Sequence, residues 1–360
     1  MSDFTTIPTL DLSLLKDPGA RKTLILHMLH IVRDVGMCYV TGLPFGPEVF
    51  DKAKVECEAF FNLPTEEKTK LDIANVPGFL GYTAVGTEYT NNKIDTREHL
   101  TVAHPIPGEI VGPAYQNLWG PSQWPDSSVL SDFTPSFKNY MEEVARVEKM
   151  LRGLMAEAIG VNPATLNSLF DHNQQYRMRM IKYPGPPATA SAEDLQALGP
   201  HQDHTFTTLI NQVTDHVALQ ACNGKGQWID CPPKPGSLVF VVGKSGQAAT
   251  YGACSAAVHR VVALAPGSTA RYSISVGTNL RYDLSVLSPS TKQTFDAIQR
   301  DVNAGRIGTE GHLDEYLNPL GSLDTLGMKV LNNYCLSYPD IMKRWHPEMA
   351  RPIASGVSGP

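Results

Sequence analysis

Hydrophobic positions recur along this chain with two different periods, and the switch between them divides it. In the first half the period is helical. Over residues 20–34, Leu24, His27, Met28, Ile31 and Val32 fall three and four apart, which predicts a helix stopping before Gly36. Residues 47–61 form a second predicted helix, and residues 65–71 a short third one capped by Thr65. Thr134 and Pro135 read as the start of a long helix, with Thr as N-cap and Pro at the first helical position. Phe137, Met141, Val144, Val147, Leu151, Leu154 and Ala158 then make one stripe that ends at Gly160. Residues 7–15 and 37–42 are short predicted strands among these helices.

From Tyr176 onward the period is two. In YRMRMIKYP, residues Arg177, Arg179, Ile181 and Tyr183 share one strand face. Short strands broken by Gly/Pro turns continue to Thr278, the pattern of a jelly roll. Residues 243–247, GKSGQ, are expected to be a turn. Residues 76–93 form a predicted Gly-, Tyr- and Asn-rich loop, and the tail from Arg281 carries two helical stretches. The fold class expected is mainly β with flanking helices, built on a double-stranded β-helix core. Four regions follow: 1–115, helical and strand; 116–175, the long helix; 176–280, the jelly roll; 281–360, a helical tail closing the site. No repeat or flexible linker separates them, so one folded unit is expected.

Composition narrows the class. A net charge of -6 over 360 residues, with no Lys/Arg cluster interleaved with aromatics, argues against a nucleic-acid partner. No apolar run approaches the ~20 residues that span a bilayer, and the start lacks a basic-then-apolar leader. Cysteines 38, 57, 222, 231, 254 and 335 show no CxxC spacing, as expected of reduced thiols in a cytoplasmic protein. The oligomeric state is open.

The chemistry concentrates between His201 and Ser273. On a strand, His201 and Asp203 would project together, with Gln202 and His204 pointing away. His259 on a neighbouring strand could complete two imidazoles and a carboxylate on one side of a metal, leaving the other side open. Arg271 and Ser273 share a face of a later strand, opposite to Tyr272, Ile274 and Val276. An inward arginine needs an acid to answer its charge.

With HxD…H followed by RxS, and the words GQWIDCPPKPGSLVFVVG and VHRVV between them, the chain resembles the iron(II)- and 2-oxoglutarate-dependent dioxygenases. The likeness is to the branch that includes isopenicillin N synthase. The resemblance implies Fe(II) on His201, Asp203 and His259, and 2-oxoglutarate held by Arg271, Ser273 and Tyr183. It implies O2-dependent oxidation of a small natural-product metabolite, releasing succinate and CO2. Hydroxylation is the leading outcome, with desaturation, cyclisation and ring expansion behind it. Substrate contacts are expected from Phe79, Tyr82, Tyr89, Arg97, Phe206 and Tyr334. Plant relatives usually have Asn where Ile181 stands, so a polar contact near the metal is missing here. Three alternatives remain. An isopenicillin N synthase-type oxidase would use RxS for the substrate's own carboxylate and need no 2-oxoglutarate. A zinc hydrolase would leave Arg271 and Ser273 without purpose. A non-catalytic receptor for a small molecule on the same fold would be expected to lack a ligand.

Overall fold

The computed structural model describes residues 2–90, 93–104, 112–170, 176–189, 196–285, 287–305 and 325–350. The elements run in order β1 (Thr9–Asp11), α1 (Arg21–His30), β2 (Met37–Thr41), α2 (Glu48–Phe61), α3 (Thr65–Thr69), β3 (Gly81–Thr83), β4 (Tyr89–Thr90), β5 (Lys93–Ile94) and β6 (Glu98–Ala103). Then come α4 (Phe133–Ala158), α5 (Pro163–Asn167), β7 (Tyr176–Tyr183), β8 (Leu198–His201), β9 (Thr207–Gln212), β10 (Leu219–Cys222), β11 (Trp228–Asp230), β12 (Leu238–Val242) and α6 (Lys244–Ala249). β13 (His259–Val261), β14 (Arg271–Thr278), α7 (Pro289–Ala304), α8 (Leu326–Ser337) and α9 (Pro339–Trp345) follow among the described residues.

Two sheets make the jelly roll. The larger has eight strands in the order β1-β2-β12-β9-β14-β7-β6-β3, and the smaller four, β11-β10-β13-β8. Strand alternation decides what lies on each side. Met178 and Met180 of β7, with Ile274 and Val276 of β14, join the core under the long helix α4. Their neighbours Arg177, Arg179, Ile181, Arg271 and Ser273 face the opposite way, toward a cavity. Between the sheets, Tyr39, Ile210, Val239, Leu219 and Val261 pack a second core. A third joins Phe79, Tyr115, Leu118 and Tyr282 to Leu331, Cys335 and Ile341 of the two closing helices.

All seven residues of the α4 stripe are buried. The helix starts earlier than its sequence suggests: Asp132 is the N-cap, without a side-chain bond, and Thr134 and Pro135 lie within the first turn. Proline is tolerated there because the first N–H groups of a helix have no internal partner. Thr65 likewise is not a cap; Pro64 precedes the helix and no side chain caps it. The predicted loop 76–93 contains β3 and, at its end, the β4–β5 ribbon. The GKSGQ turn is the helix α6, seated on the loop after β8: the Gly243 N–H donates to the Phe206 carbonyl and the Lys244 N–H to that of Asp203. A Cβ at Gly243 would collide with the Thr205 carbonyl oxygen, and one at Gly246 with that of Phe206, so both glycines permit this approach. In the tail, α8 and α9 are separate helices broken at Tyr338-Pro339.

Candidate active site

The smaller sheet brings the two histidines together. β8 and β13 run antiparallel with His201 directly opposite His259, and their ring centroids lie 4.3 Å apart. Each ring is oriented by its own backbone. Nδ1 of His201 lies 2.8 Å from the Gly199 carbonyl, and Nδ1 of His259 lies 3.1 Å from that of Ala257. A carbonyl can only accept, so the proton sits on Nδ1 and the Nε2 lone pair is turned outward. Both Nε2 atoms face Oδ1 of Asp203, at 3.5 and 3.7 Å. β8 ends at His201, so Asp203 is placed by the following loop, and its carbonyl is held by the Lys244 N–H at 2.7 Å.

Electrostatics suit these groups to a cation. Burial opposes the Asp203 charge, but His259, His201 and the Thr208 hydroxyl hold its carboxyl well below the usual range. Burial, reinforced by His201, pushes the His259 imidazole down to about 4, leaving it neutral near pH 7. One ligand atom from each of the three residues lies within 4.8 Å of the others. Two imidazoles and one carboxylate fit a divalent iron with open positions.

The triad lies on a cavity of about 470 Å³. At one end Arg271 is 1% exposed, the bulkiest fully buried side chain in the described structure. It stands opposite Tyr183 across β14 and β7, its guanidinium 5.0 Å from the ring centre. Its contacts are long and neutral: Nη1 donates to Ser273 Oγ at 3.5 Å and Nη2 to Gln212 Oε1 at 3.4 Å, while Nε has no partner. Burial pulls its pKa down, and it forms no ion pair among the described residues. A carboxylate from a bound acid fits that need. Gln212, opposite Ser273 across β9 and β14, was not singled out in the sequence. Ile181 supplies an apolar wall between these groups and Arg179.

Of the expected substrate contacts, Arg97 and Tyr334 line the cavity. Phe79, Tyr82 and Phe206 do not. Phe79 stacks behind Tyr334, with ring centres 5.1 Å apart. Tyr82 points into the core beside Phe60 and donates its hydroxyl to Glu98 at 2.6 Å. Phe206 packs edge-on against Phe170. Tyr89 lies on β4, but its side chain is outside the described residues. His204, expected to point away, is exposed at the rim of the same cavity. Glu88, Arg177, Arg179 and Lys329 also line it, and none of them was assigned a role from sequence. Glu88 binds Arg97 at 2.8 Å, His99 at 3.0 Å and the Tyr338 hydroxyl at 2.5 Å, tying the segment before β4 to β6 and the closing helices.

The profile of the 2OG-Fe(II) oxygenase superfamily matches residues 173–279, and that of the non-haem dioxygenase in morphine synthesis N-terminal region matches residues 7–127. A 2-oxoglutarate-dependent dioxygenase, frbJ, of Dothideomycetidae sp. (strain 11243) is 35% identical over 352 residues, covering 96% of this chain and 94% of that protein. The chain belongs to the 2-oxoglutarate-dependent dioxygenases. Another relative, homoarginine-6-hydroxylase 2-ODD-C23.1 of Arabidopsis thaliana, is 30% identical over 74% of this chain and 82% of its own length. In fold, the dioxygenase is similar to a full-length Neurospora crassa protein solved in complex with alpha-KG and thymine, with a TM-score of 0.68 and 20% identity over 84% of this chain and 99% of that one. Fe(II), 2-oxoglutarate and O2 are the cofactors and co-substrates of this dioxygenase, and it oxidises a small molecule. No helix among the described residues is long and apolar enough to cross a membrane.

Proposed function

We propose that His201, Asp203 and His259 hold Fe(II), that Arg271, Ser273 and Tyr183 receive the distal carboxylate of 2-oxoglutarate, and that the reaction is hydroxylation of a small natural-product metabolite in the cytoplasm. The observation that carries this reading is Arg271. A guanidinium so deeply buried, without an acid beside it, requires one from a ligand, and it lies on the cavity that the triad shares.

Bound there, iron, 2-oxoglutarate and O2 together supply the oxidising power that removes a hydrogen atom from substrate and releases succinate and CO2. The chain's own work is placement. The carbonyls of Gly199 and Ala257 keep both Nε2 atoms turned toward Asp203. The Lys244 N–H fixes the loop that carries Asp203. Arg271, with Ser273 and Gln212 beside it, orients the co-substrate by charge-assisted bonds worth about 1.5–3 kcal/mol each. Ile181, Leu219 and Val261 are apolar walls that limit water around the triad. The four regions of the chain act as one unit, with the tail helices closing the site.

The test is anaerobic addition of Fe(II) and 2-oxoglutarate. A weak visible charge-transfer band should appear, and should be lost in His201→Ala and in His259→Ala. Succinate should then be released in step with product. A band that survives loss of both histidines would overturn the ligand assignment.

A further inference from the structure

Besides Arg271, four cationic side chains line the cavity: Arg97, then Arg177 and Arg179 from β7, and Lys329 from α8. Their surroundings differ. Arg97 is neutralised locally, by Glu88 at 2.8 Å and Asp95 at 3.3 Å. Arg177 is a structural clamp: Nη1 donates to the Leu118 carbonyl at 2.9 Å, and Nη2 to those of Gly78 and Phe79 at 3.0 and 2.8 Å. Its guanidinium also lies 4.8 Å from the Tyr334 ring centre. Arg179 is supported by the Glu88 charge only from beyond contact distance. Its one hydrogen bond runs from Nε to Thr101 Oγ1 at 3.3 Å, and it forms no ion pair among the described residues. Glu88, the acid nearest in effect, is already bound to Arg97, His99 and Tyr338. Beyond the bond from Nε, Arg179 makes no hydrogen bond to a described residue, and its side chain lines the cavity.

Position separates this arginine from the co-substrate. Arg179, Ile181 and Tyr183 are successive inward residues of β7, and Arg271 stands opposite Tyr183. Inward neighbours on a strand lie about 7 Å apart. The apolar Ile181 therefore stands between the two guanidinium groups, and an acid held at Arg271 does not reach Arg179. The other side of this part of the cavity is formed by α8, with Lys329, Asn333 and Tyr334. Asp203 faces the two histidines, and against Arg97, Arg177, Arg179 and Lys329 the remaining acids here are Glu88 and, behind Arg97, Asp95, so this part of the cavity has an excess of positive charge.

We propose that Arg179 is the anchor for an anionic group of the substrate, a carboxylate whose two oxygens meet the open Nη edge. A guanidinium fork matches a carboxylate in both spacing and charge. The substrate is thus an organic acid, held by its acid end at Arg179 with the carbon to be oxidised directed toward the triad. This rests on the reading of the triad and Arg271 given above. Its test is separable from the test of that reading.

The probes are benzoate and benzamide, and L-homoarginine and its carboxamide, each titrated anaerobically into protein loaded with Fe(II) and 2-oxoglutarate. The readout is the change in the charge-transfer band. At least one acid should perturb the band, with its amide tenfold or more weaker. Arg179→Gln should abolish that preference while leaving the affinity for 2-oxoglutarate within twofold. Arg179→Lys, which keeps the charge, should retain part of it. Acid and amide binding equally, neither acid binding, or a preference that survives in Arg179→Gln would each overturn the proposal. The comparison of acid with amide on the unaltered protein decides the matter even where a variant fails to fold. Absence of any band with Fe(II) and 2-oxoglutarate alone would instead count against the assignment of the triad and Arg271.

Discussion

Arg271 and Tyr183 face one another across the β14–β7 ladder, with the guanidinium 5.0 Å from the ring centre and no acid of the described chain beside it. The ring offers its π face and Ser273 and Gln212 offer neutral oxygens, but none of these balances a full charge in a site 1% exposed. Arg271→Gln should therefore raise the KM for 2-oxoglutarate roughly ten- to a hundredfold, the equivalent of one charge-assisted pair. Iron content, measured after desalting, should be unchanged. A defect confined to the KM of the other substrate would mean that Arg271 binds that molecule instead.

The cavity is shared by His201 and His204, and the His201 ring is fixed by a backbone carbonyl with Nε2 turned to Asp203. His201→Ala should remove iron and turnover together. His204→Ala should keep iron, with turnover reduced by less than about tenfold, since this side chain is exposed at the rim. Equal loss of iron in the two variants would show that the ligand set is misassigned.

What could be read from sequence follows from which contacts are local. Period two in β7 and β14 placed Arg177, Arg179, Ile181, Tyr183, Arg271 and Ser273 on one face, and all six line the cavity. Where strand structure stops, parity no longer gives the reason: His201 and Asp203 converge as expected, while His204, expected to point away, lines the cavity. β8 ends at His201, so the position of Asp203 depends on the seat that α6 provides, a contact with residues some forty positions away. Tyr82 was expected as a substrate contact from its place in the 76–93 loop, but its direction is set by pairing with β6. Tyr82 stands opposite Leu100 and shares its core-facing side, while the cavity-lining Thr101 belongs to the other parity. That pairing has no signature within residues 76–93. The setting of Arg179 was similarly hidden, because Glu88 meets Arg97, His99 and Tyr338 only in the folded chain.

Tyr82 and Tyr334 should accordingly behave in opposite ways. Tyr82 is 3% exposed, packs on Phe60 and donates to a Glu98 that also binds Lys68 and Lys182. Tyr82→Ala should lower stability to denaturant by about 3 kcal/mol and leave the KM values within twofold. Tyr334→Ala removes a wall of the cavity, and should raise the KM of the organic substrate several-fold without altering that of 2-oxoglutarate. A reversed pattern in steady-state assays would place the substrate on the β3 side of the sheet.

His99 makes stability depend on pH. The ring is fully buried, with Nε2 3.0 Å from Glu88 Oε2 and Nδ1 3.3 Å from Thr101 Oγ1. Burial lowers its pKa to about 4 from an ordinary 6.5; Arg179 and Arg97 push the same way, and Glu88 opposes them. The folded state thus takes up this proton less readily than the unfolded chain. Its contribution to stability is complete above about pH 6.5 and is lost as pH falls toward 4, at up to about 1.4 kcal/mol per pH unit. In metal-free protein His259 adds a loss of the same sign, since its imidazole is also pushed down to about 4. The share of His99 is isolated by comparing slopes. His99→Gln cannot take up that proton, so its unfolding free energy should fall less steeply between pH 6.5 and 4.5, by about 1 kcal/mol per unit. Denaturant titrations of both proteins at half-unit steps give the two slopes, whatever constant offset the substitution introduces. Parallel lines would mean that His99 accepts its proton in the folded protein without cost, and that the Glu88 charge, not burial, governs it.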